Sequence, residues 1–354
     1  VIRGAKAAAS QRAAAEAADA ALVGGAGAVD AIIAGFFGAA GADPGVLLAP
    51  AVAIVAGFGA GGRAFDGRAA QPGRGAPRPR GFVDEASIPK GARVASPRTI
   101  GMLALLHTYR GRSTFANLSR AGVLTAESAG SKPRAALIRK VGSAGVLSLR
   151  APDVARSLLA VGGVVAGGTL TEADLEESAP AEMDAISTSI GEGVTAFTSP
   201  FSLTIDPGAP QKPGSVPPPP PSAAVLRDAE FVVACDGRGV IAALAYAPAK
   251  EGVTLPEHEI TLGLDAIPVR RGVTRVAPGT VLPMAVPVGI AMQSGSFAAA
   301  VGMPGRSPLE PAALAELVKG GAVERALADL RERVGGHSAV AVITDGKTAR
   351  SASA

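Results

Sequence analysis

The sequence contains no tryptophan, two tyrosines and ten phenylalanines, so aromatics make up 3% of the chain. A core built around large rings is thereby excluded. So is a nucleic-acid platform of basic residues interleaved with stacking aromatics. One cysteine, Cys235, excludes an internal disulfide framework. Three scattered histidines, His107, His258 and His337, cannot by themselves build a dense histidine metal site. Lysine is also scarce, with eight among 34 basic residues (6, 90, 132, 140, 212, 250, 319 and 347). Against 30 acidic residues the net charge is only +4 and is spread along the chain, so no nucleic-acid partner is expected. The longest tempting uncharged run, 44–62, is broken by Pro44, Pro50 and five glycines, which is poor material for a spanning helix. No membrane insertion is expected. With no basic-then-apolar leader at Val1-Ile2-Arg3-Gly4, a cytoplasmic location is the default.

What is present is 354 residues with 48% hydrophobic and 18% charged composition, which excludes disorder throughout and allows one large domain or two. The apolar fraction is carried by Ala, Val, Leu and Gly. Such a core closes by near approach of its elements and leaves little room for a large apolar ligand.

Helix formers predict a helix over 7–23, stopped by Gly24-Gly25, and a second over 28–40, stopped by Asp43-Pro44. Val52–Val55 reads as a buried strand, Gly57–Gly62 as a turn, and Arg63–Arg80 as an irregular segment. Helices are predicted over 100–109 (entered at Ser96-Pro97), 115–121, 132–141 and 154–161, with a short capped helix at Thr171–Leu175. Prolines at 207, 210, 213 and 217–221 mark an extended connector. Beyond it the pattern turns strand-like. Phe231–Ala234 and Val240–Leu244 form a hairpin around Asp236-Gly237, and Val288–Met292 with Phe297–Val301 form a second. Helices over 311–319 and 322–334 and a hairpin around Asp345-Gly346 close the chain. The division is a helical half (1–205), a connector (206–222) and a strand-rich half (223–354), an α+β order that suits one intertwined domain.

Three groups suggest chemistry. Gly57-Phe58-Gly59-Ala60-Gly61-Gly62 fits G-x-G-x-x-G after a strand, but the prolines beyond Arg68 deny it the helix a dinucleotide site needs, so it reads as a turn. Arg63, Arg68, Arg74, Arg78 and Arg80 suit carboxylate or phosphate by residue type, yet a charged run in a proline-rich loop reads as a solvated face, with Arg68 alone weighted higher for the resemblance given below. Cys235 with His258 or His337 would make a thiol nucleophile and base, but a cysteine inside a buried hairpin reads as a small apolar residue. The serine patches 187–189 and 294–296 have no base at a recognisable spacing.

Several motifs, in order, carry a family resemblance. They are Ala9-Ser10-Gln11 through Gly24-Gly25-Ala26-Gly27-Ala28-Val29-Asp30-Ala31, the glycine turn at 57–62, and Asp66-Gly67-Arg68-Ala69-Ala70-Gln71-Pro72. Ser96-Pro97-Arg98-Thr99-Ile100-Gly101, Tyr109-Arg110-Gly111-Arg112 and Gly168–Leu175 follow. In the second half come Phe231–Leu244, Gly302-Met303-Pro304-Gly305, and Gly336-His337 with Asp345-Gly346. Through them the chain resembles the γ-glutamyltranspeptidases over most of its length. The resemblance implies the four-layer αββα sandwich of the N-terminal-nucleophile hydrolases, with no cofactor and no metal. It also implies self-cleavage at a threonine whose freed amine and hydroxyl attack a γ-glutamyl amide.

Measured against that family, the nucleophile position falls near Arg227 or Asp228, where no hydroxyl or thiol stands. Supporting Thr and Asn positions fall near Ala245 and Ala247, the serine pair before Met284 becomes Leu282-Pro283, and a second oxyanion-type glycine becomes Arg306. Arg68 matches the arginine that grips the glutamyl carboxylate. The expectation is therefore a catalytically inactive relative, acting as a structural or accessory subunit with other protein subunits or as a homodimer, with a small carboxylate as the ligand of Arg68. The alternative is an active hydrolase or transpeptidase whose displaced nucleophile is Ser222, just after the proline run.

Overall fold

The computed structural model describes residues 4–57, 60–77, 80–177, 179–191, 193–201, 226–293, 297–306, 308–319, 332, 340–344 and 349–353. The connector, Ser222, His337 and the expected helix over 322–334 (save residue 332) lie outside them.

Apolar residues run almost unbroken through the central strands, the pattern of strands buried on both faces. One antiparallel sheet takes β1 (Lys6–Ala9), β2 (Ala51–Gly57), β3 (Ala60–Gly67) and β4 (Ala181–Asp184) from the first half, and β7 (Glu230–Cys235) and β8 (Val240–Tyr246) from the second. Its order is β1-β7-β8-β2-β3-β4. A second antiparallel sheet adds β5 (Ile186–Ser189) and β6 (Val194–Thr198) to β11 (Val288–Gln293), β12 (Phe297–Gly302), β13 (Val340–Thr344) and β14 (Ala349–Ser353), in the order β14-β13-β12-β11-β6-β5. A small ladder pairs β9 (Val253–Leu255) with β10 (Ile260–Leu262). Neither large sheet belongs to one half of the chain.

Strand alternation sorts the core. Val52, Ile54, Phe231, Val233, Ile241 and Ala243 of the first sheet pack with Ile290, Ala298, Ala300 and Val342 of the second. The first sheet's opposite face, through Ala53, Val55, Val232, Leu244 and Tyr246, packs against α1 (Arg12–Val23), α2 (Ala28–Ala42) and α3 (Thr99–Arg110), and α4 (Phe115–Ser128), α5 (Lys132–Ala144), α6 (Pro152–Gly162) and α7 (Glu172–Glu176) extend the same apolar layer. The second sheet's opposite face packs on Leu314, Ala315 and Val318 of α8 (Pro311–Lys319).

α2 is buried along 14 of its 15 residues, as expected for a helix apolar on every side. Small residues let its neighbours come close. A Cβ on Gly38 would stand 2.5 Å from the Ala13 carbonyl oxygen and 2.7 Å from Ala17 Cβ, and one on Gly41 would strike the Gly122 carbonyl and Thr125 Cβ. Carboxylates secure the helix entry. Asp30 accepts from the Gly27, Arg112 and Ser113 amides, and Asp236, at the β7–β8 turn, accepts from the Ala28 amide. The few rings gather at this helix, with Phe36 edge-on to Tyr246 at 5.6 Å and 87°.

Several sequence expectations are corrected. Residues 7–9 are strand, because they pair with β7 in register Ala7↔Ala234 to Ala9↔Val232, and α1 begins only at Arg12. Residues 60–67 are strand, so the turn is shorter than 57–62 and the segment 63–80 is not irregular throughout. Ser96 bridges Ala70, and α3 begins at Thr99 with Arg98 as its N-cap. The first half also supplies β4, β5 and β6, which the sequence reading omits. The hairpins β7–β8 and β11–β12, the Thr171-capped α7 and helix 311–319 stand as expected.

Gly38→Ala should lower stability by about 1–3 kcal/mol, because the methyl meets backbone with no room to yield. Gly61→Ala, where a Cβ has open space, should stay within about 0.5 kcal/mol of wild type. Urea midpoints measured side by side check the contrast.

Candidate functional site

β3 ends in Asp66-Gly67-Arg68, and the backbone fold there aims the Arg68 side chain back at Asp66. The Arg68 amide and Nε donate to Asp66 Oδ1 at 2.9 and 3.0 Å, and its Nη2 donates to Oδ2 at 3.2 Å. Arg98, on the N-terminal side of α3, places Nη1 3.4 Å from Asp66 Oδ2 and 3.2 Å from the Arg68 carbonyl oxygen, and donates twice to the Ala179 carbonyl. The Asp66, Arg68 and Arg98 side chains are 4%, 10% and 6% exposed, so one buried carboxylate serves two buried guanidinium groups. Burial draws the Arg98 proton affinity below the ordinary arginine value, opposed by the attraction of Asp66. Over Arg68 lies the ring of Phe201, its centroid 4.9 Å from Cζ.

Following the chain, Ala69 accepts from the Leu282 amide, Gln71 donates its amide to Thr280, and the Gln71 side chain clasps the Ile267 amide and carbonyl at 2.9 Å each. Two residues before Ile267, Asp265 accepts from Arg227 Nη2 at 2.8 Å. The strand end bearing Arg68 is thus tied through a few contacts to the start of β7.

That start is closed by its own side chains. Arg227 pairs with Asp265, and its guanidinium fills space that any Cβ on Gly263 would need. Asp228 pairs with Arg306 Nε at 2.8 Å. Ala229 exchanges backbone hydrogen bonds with Gly305 at 2.9 and 3.0 Å, so the glycine-turn amide is already engaged. Glu230 accepts from the Gln11 side chain, and burial pushes its carboxyl above the usual carboxylate range. Behind β7, Ala245 and Ala247 are buried among Met284, Ala285 and Val286, apolar filling with no hydroxyl or amide side chain.

The remaining sequence candidates disperse. Within the glycine run Gly57 pairs with Ala60, and an antiparallel strand, not a helix, follows it. This removes the dinucleotide reading. Arg63 pairs with Glu182 and Asp184, Arg74 with Glu177, Arg80 is exposed, and Arg78 lies outside the described residues. Of the described members of that group only Arg68 is built into the interior, in keeping with the separate weight its sequence context gives it. Cys235 lies between the two sheets, whereas His258 sits in the β9–β10 turn, a ladder that packs on the opposite, helix-bearing face, so the structure does not bring them together. Burial pushes the Cys235 thiol up to about 12. Ser187 and Ser189 lie on the edge strand β5, and 294–296 lie outside the described residues. Among the described residues no cluster of three or more His, Cys, Asp or Glu is arranged to hold a metal, and no helix is long and apolar enough to cross a membrane.

Sequence reasoning missed Arg98, Gln71 and Phe201. Arg98 was legible only as part of a helix entry, and nothing in the local pattern of Phe201 signals a partner 133 residues away.

No protein-family model matches this sequence, and no curated protein matches it. Solved structures do. Cephalosporin acylase from Bacillus halodurans superposes with a TM-score of 0.68 at 13% identity, over 99% of this chain and 96% of that one. The structure described as LmbA2991HD superposes with a TM-score of 0.61 at 14% identity, over 99% and 98%. γ-Glutamyltranspeptidase from Pseudomonas nitroreducens, complexed with L-DON, aligns at 0.47 with 16% identity, over 57% and 72%. The chain therefore has the mixed, antiparallel-sheet fold that the first two of these structures share.

Asp66→Asn should cost about 3–5 kcal/mol, because it leaves two buried guanidinium groups without their shared anion, and urea unfolding reads this directly. Cys235 should resist a maleimide or disulfide reagent at pH 8 in the native protein, since its thiol stays protonated and enclosed, and should react fully only in denaturant.

Proposed function

We propose that this chain is a catalytically inactive, γ-glutamyltranspeptidase-like protein, built as a four-layer helix–sheet–sheet–helix sandwich. In this reading it serves as a structural or accessory subunit, with other protein subunits or a second copy as partner, and binds a small carboxylate at Arg68. Its two halves, 1–205 and 223–354, remain one chain through the connector.

The observation that carries this reading is the start of β7. Acyl transfer in such a fold needs a hydroxyl or thiol beside a free α-amine, with donors waiting for the oxyanion. Here Arg227 and Asp228 are held in ion pairs, Ala229 has no functional side chain, and the Gly305 amide is committed to the Ala229 carbonyl. Neither a guanidinium nor a paired carboxylate at that point can form and release an acyl intermediate by this route. Retention of a large fold without its chemistry leaves its surface as what it offers. The adjacent Val164 and Val165, 72% and 98% exposed just beyond α6, are apolar side chains of the kind a partner would cover. The support for carboxylate binding is Arg68 itself, a guanidinium fork of the kind that suits a carboxylate, at the position that matches the carboxylate-gripping arginine of the family the sequence resembles.

The purified chain should run as one species of 34.8 kDa by intact mass and denaturing electrophoresis, and should release no anilide from γ-glutamyl p-nitroanilide. Two fragments, the smaller beginning at Ser222 or another hydroxyl- or thiol-bearing residue, with turnover abolished by Arg68→Ala, would overturn the proposal in favour of an active hydrolase.

A further inference from the structure

We infer that the chain docks an acidic segment of a partner protein on one basic, valine-bearing surface, an inference that rests on the reading of the chain as an accessory subunit. Loops from distant parts of the sequence build this surface. The Phe82 amide donates to the Val269 carbonyl at 2.8 Å, and the Phe82 carbonyl accepts from the Arg271 amide at 3.0 Å. The Ala266 amide donates to the Arg93 carbonyl at 2.8 Å, and Glu85 accepts from both Arg93 and Arg270. Residues 80–93 and 266–275 therefore lie side by side. A third stretch closes against the first. A Cβ on Gly91 would strike the Ala166 carbonyl oxygen, and one on Gly167 would stand 2.6 Å from Pro89 Cγ. The exposed pair Val164 and Val165 thus borders the turn that carries Lys90, and Val83, 70% exposed, belongs to the same loop as that turn.

The charge on this surface is one-sided. It holds Arg80, Lys90, Arg93, Arg270, Arg271 and Arg275, against Asp84 and Glu85, while neighbouring Asp265 is held by Arg227. Glu85 is shared between two arginines, and Arg80, Lys90, Arg271 and Arg275 have no ion pair among the described residues. A nearly balanced chain thus gathers positive charge on one face. The sign changes only past Arg74, which pairs with Glu177 at the end of α7. Across a two-fold axis this face would meet its own charge, so a second copy is disfavoured and a partner of opposite sign is favoured. Phe82 is the one ring in these three stretches, so the cations are not interleaved with the aromatics on which nucleic-acid bases stack. Guanidinium forks around exposed valines instead match carboxylates interspersed with apolar side chains.

The test is fluorescence anisotropy of the purified chain with a labelled peptide that carries leucines between runs of glutamate. Arg80→Glu combined with Arg271→Glu should weaken binding about ten-fold. Arg120→Glu combined with Lys132→Glu makes the same change in net charge at exposed sites of α4 and α5, and should leave affinity unchanged. Val83→Ser with Val165→Ser should weaken binding several-fold. Lys90→Glu alone provides the charge measurement if the first double variant does not fold. Absence of peptide binding, or equal affinity in wild type and both charge variants, would overturn the docking surface. So would equal losses in the two charge variants, which mark diffuse attraction. Each of these leaves the inactive-subunit reading in place, since that stands on intact mass and anilide release. Full affinity in the valine variant would reduce the surface to a general anion patch and overturn the inference. Tighter binding of a labelled oligothymidylate, lost in the Arg80 and Arg271 variant, would overturn it in favour of nucleic acid. A dimer in sedimentation that the same variant abolishes would overturn it in favour of a second copy.

Discussion

The hairpin β7–β8 lies between β1 on one side and β2 on the other, so strands from opposite ends of the chain complete a single sheet. Every other feature depends on this insertion. The hairpin's two faces are apolar, one meeting the second sheet and the other meeting α2. Its turn residue Asp236 reaches the α2 N-terminus, so the most buried helix and the central hairpin fix one another. Because the rings are few, the fit relies on backbones approaching closely, as at Gly38, and a small gain in volume there has nowhere to go.

The same insertion places the start of β7 near the strand end bearing Arg68. Two kinds of electrostatic arrangement stand side by side there. At Arg227 and Asp228 each charge has a partner at 2.8 Å, so these residues act as fasteners. In the Asp66, Arg68 and Arg98 group, two buried cations share one anion, an arrangement that stays favourable while hydrogen bonds and the Phe201 ring compensate for lost solvation. Burial distinguishes the interior group from Arg63 and Arg74, whose partners sit at the surface.

Helices and central strands were legible because their apolar residues recur at a single period or run unbroken. The helix at 311–319 and the β7–β8 hairpin show this well. Ala7–Ala9 were not, because alanine favours a helix locally while pairing with β7 decides the outcome. β4 and β5 escaped notice for another reason. They are short edge strands with exposed, polar faces, so they lack the alternation that announces a half-buried strand. At the site, Arg68 could be singled out because its neighbours in sequence resemble a known motif. Arg98 and Phe201 become its companions only through folding, as residues 30 and 133 positions away in the chain.

A shared sheet also bears on what a chain break would look like. If the backbone were cut between Phe201 and Leu226, the ladders joining β1 to β7, β8 to β2 and β6 to β11 would still clasp the pieces together. Gel filtration and other hydrodynamic measurements of the folded protein would then return the same radius for a nicked and an intact molecule, and the nick would surface only once the strands were forced apart.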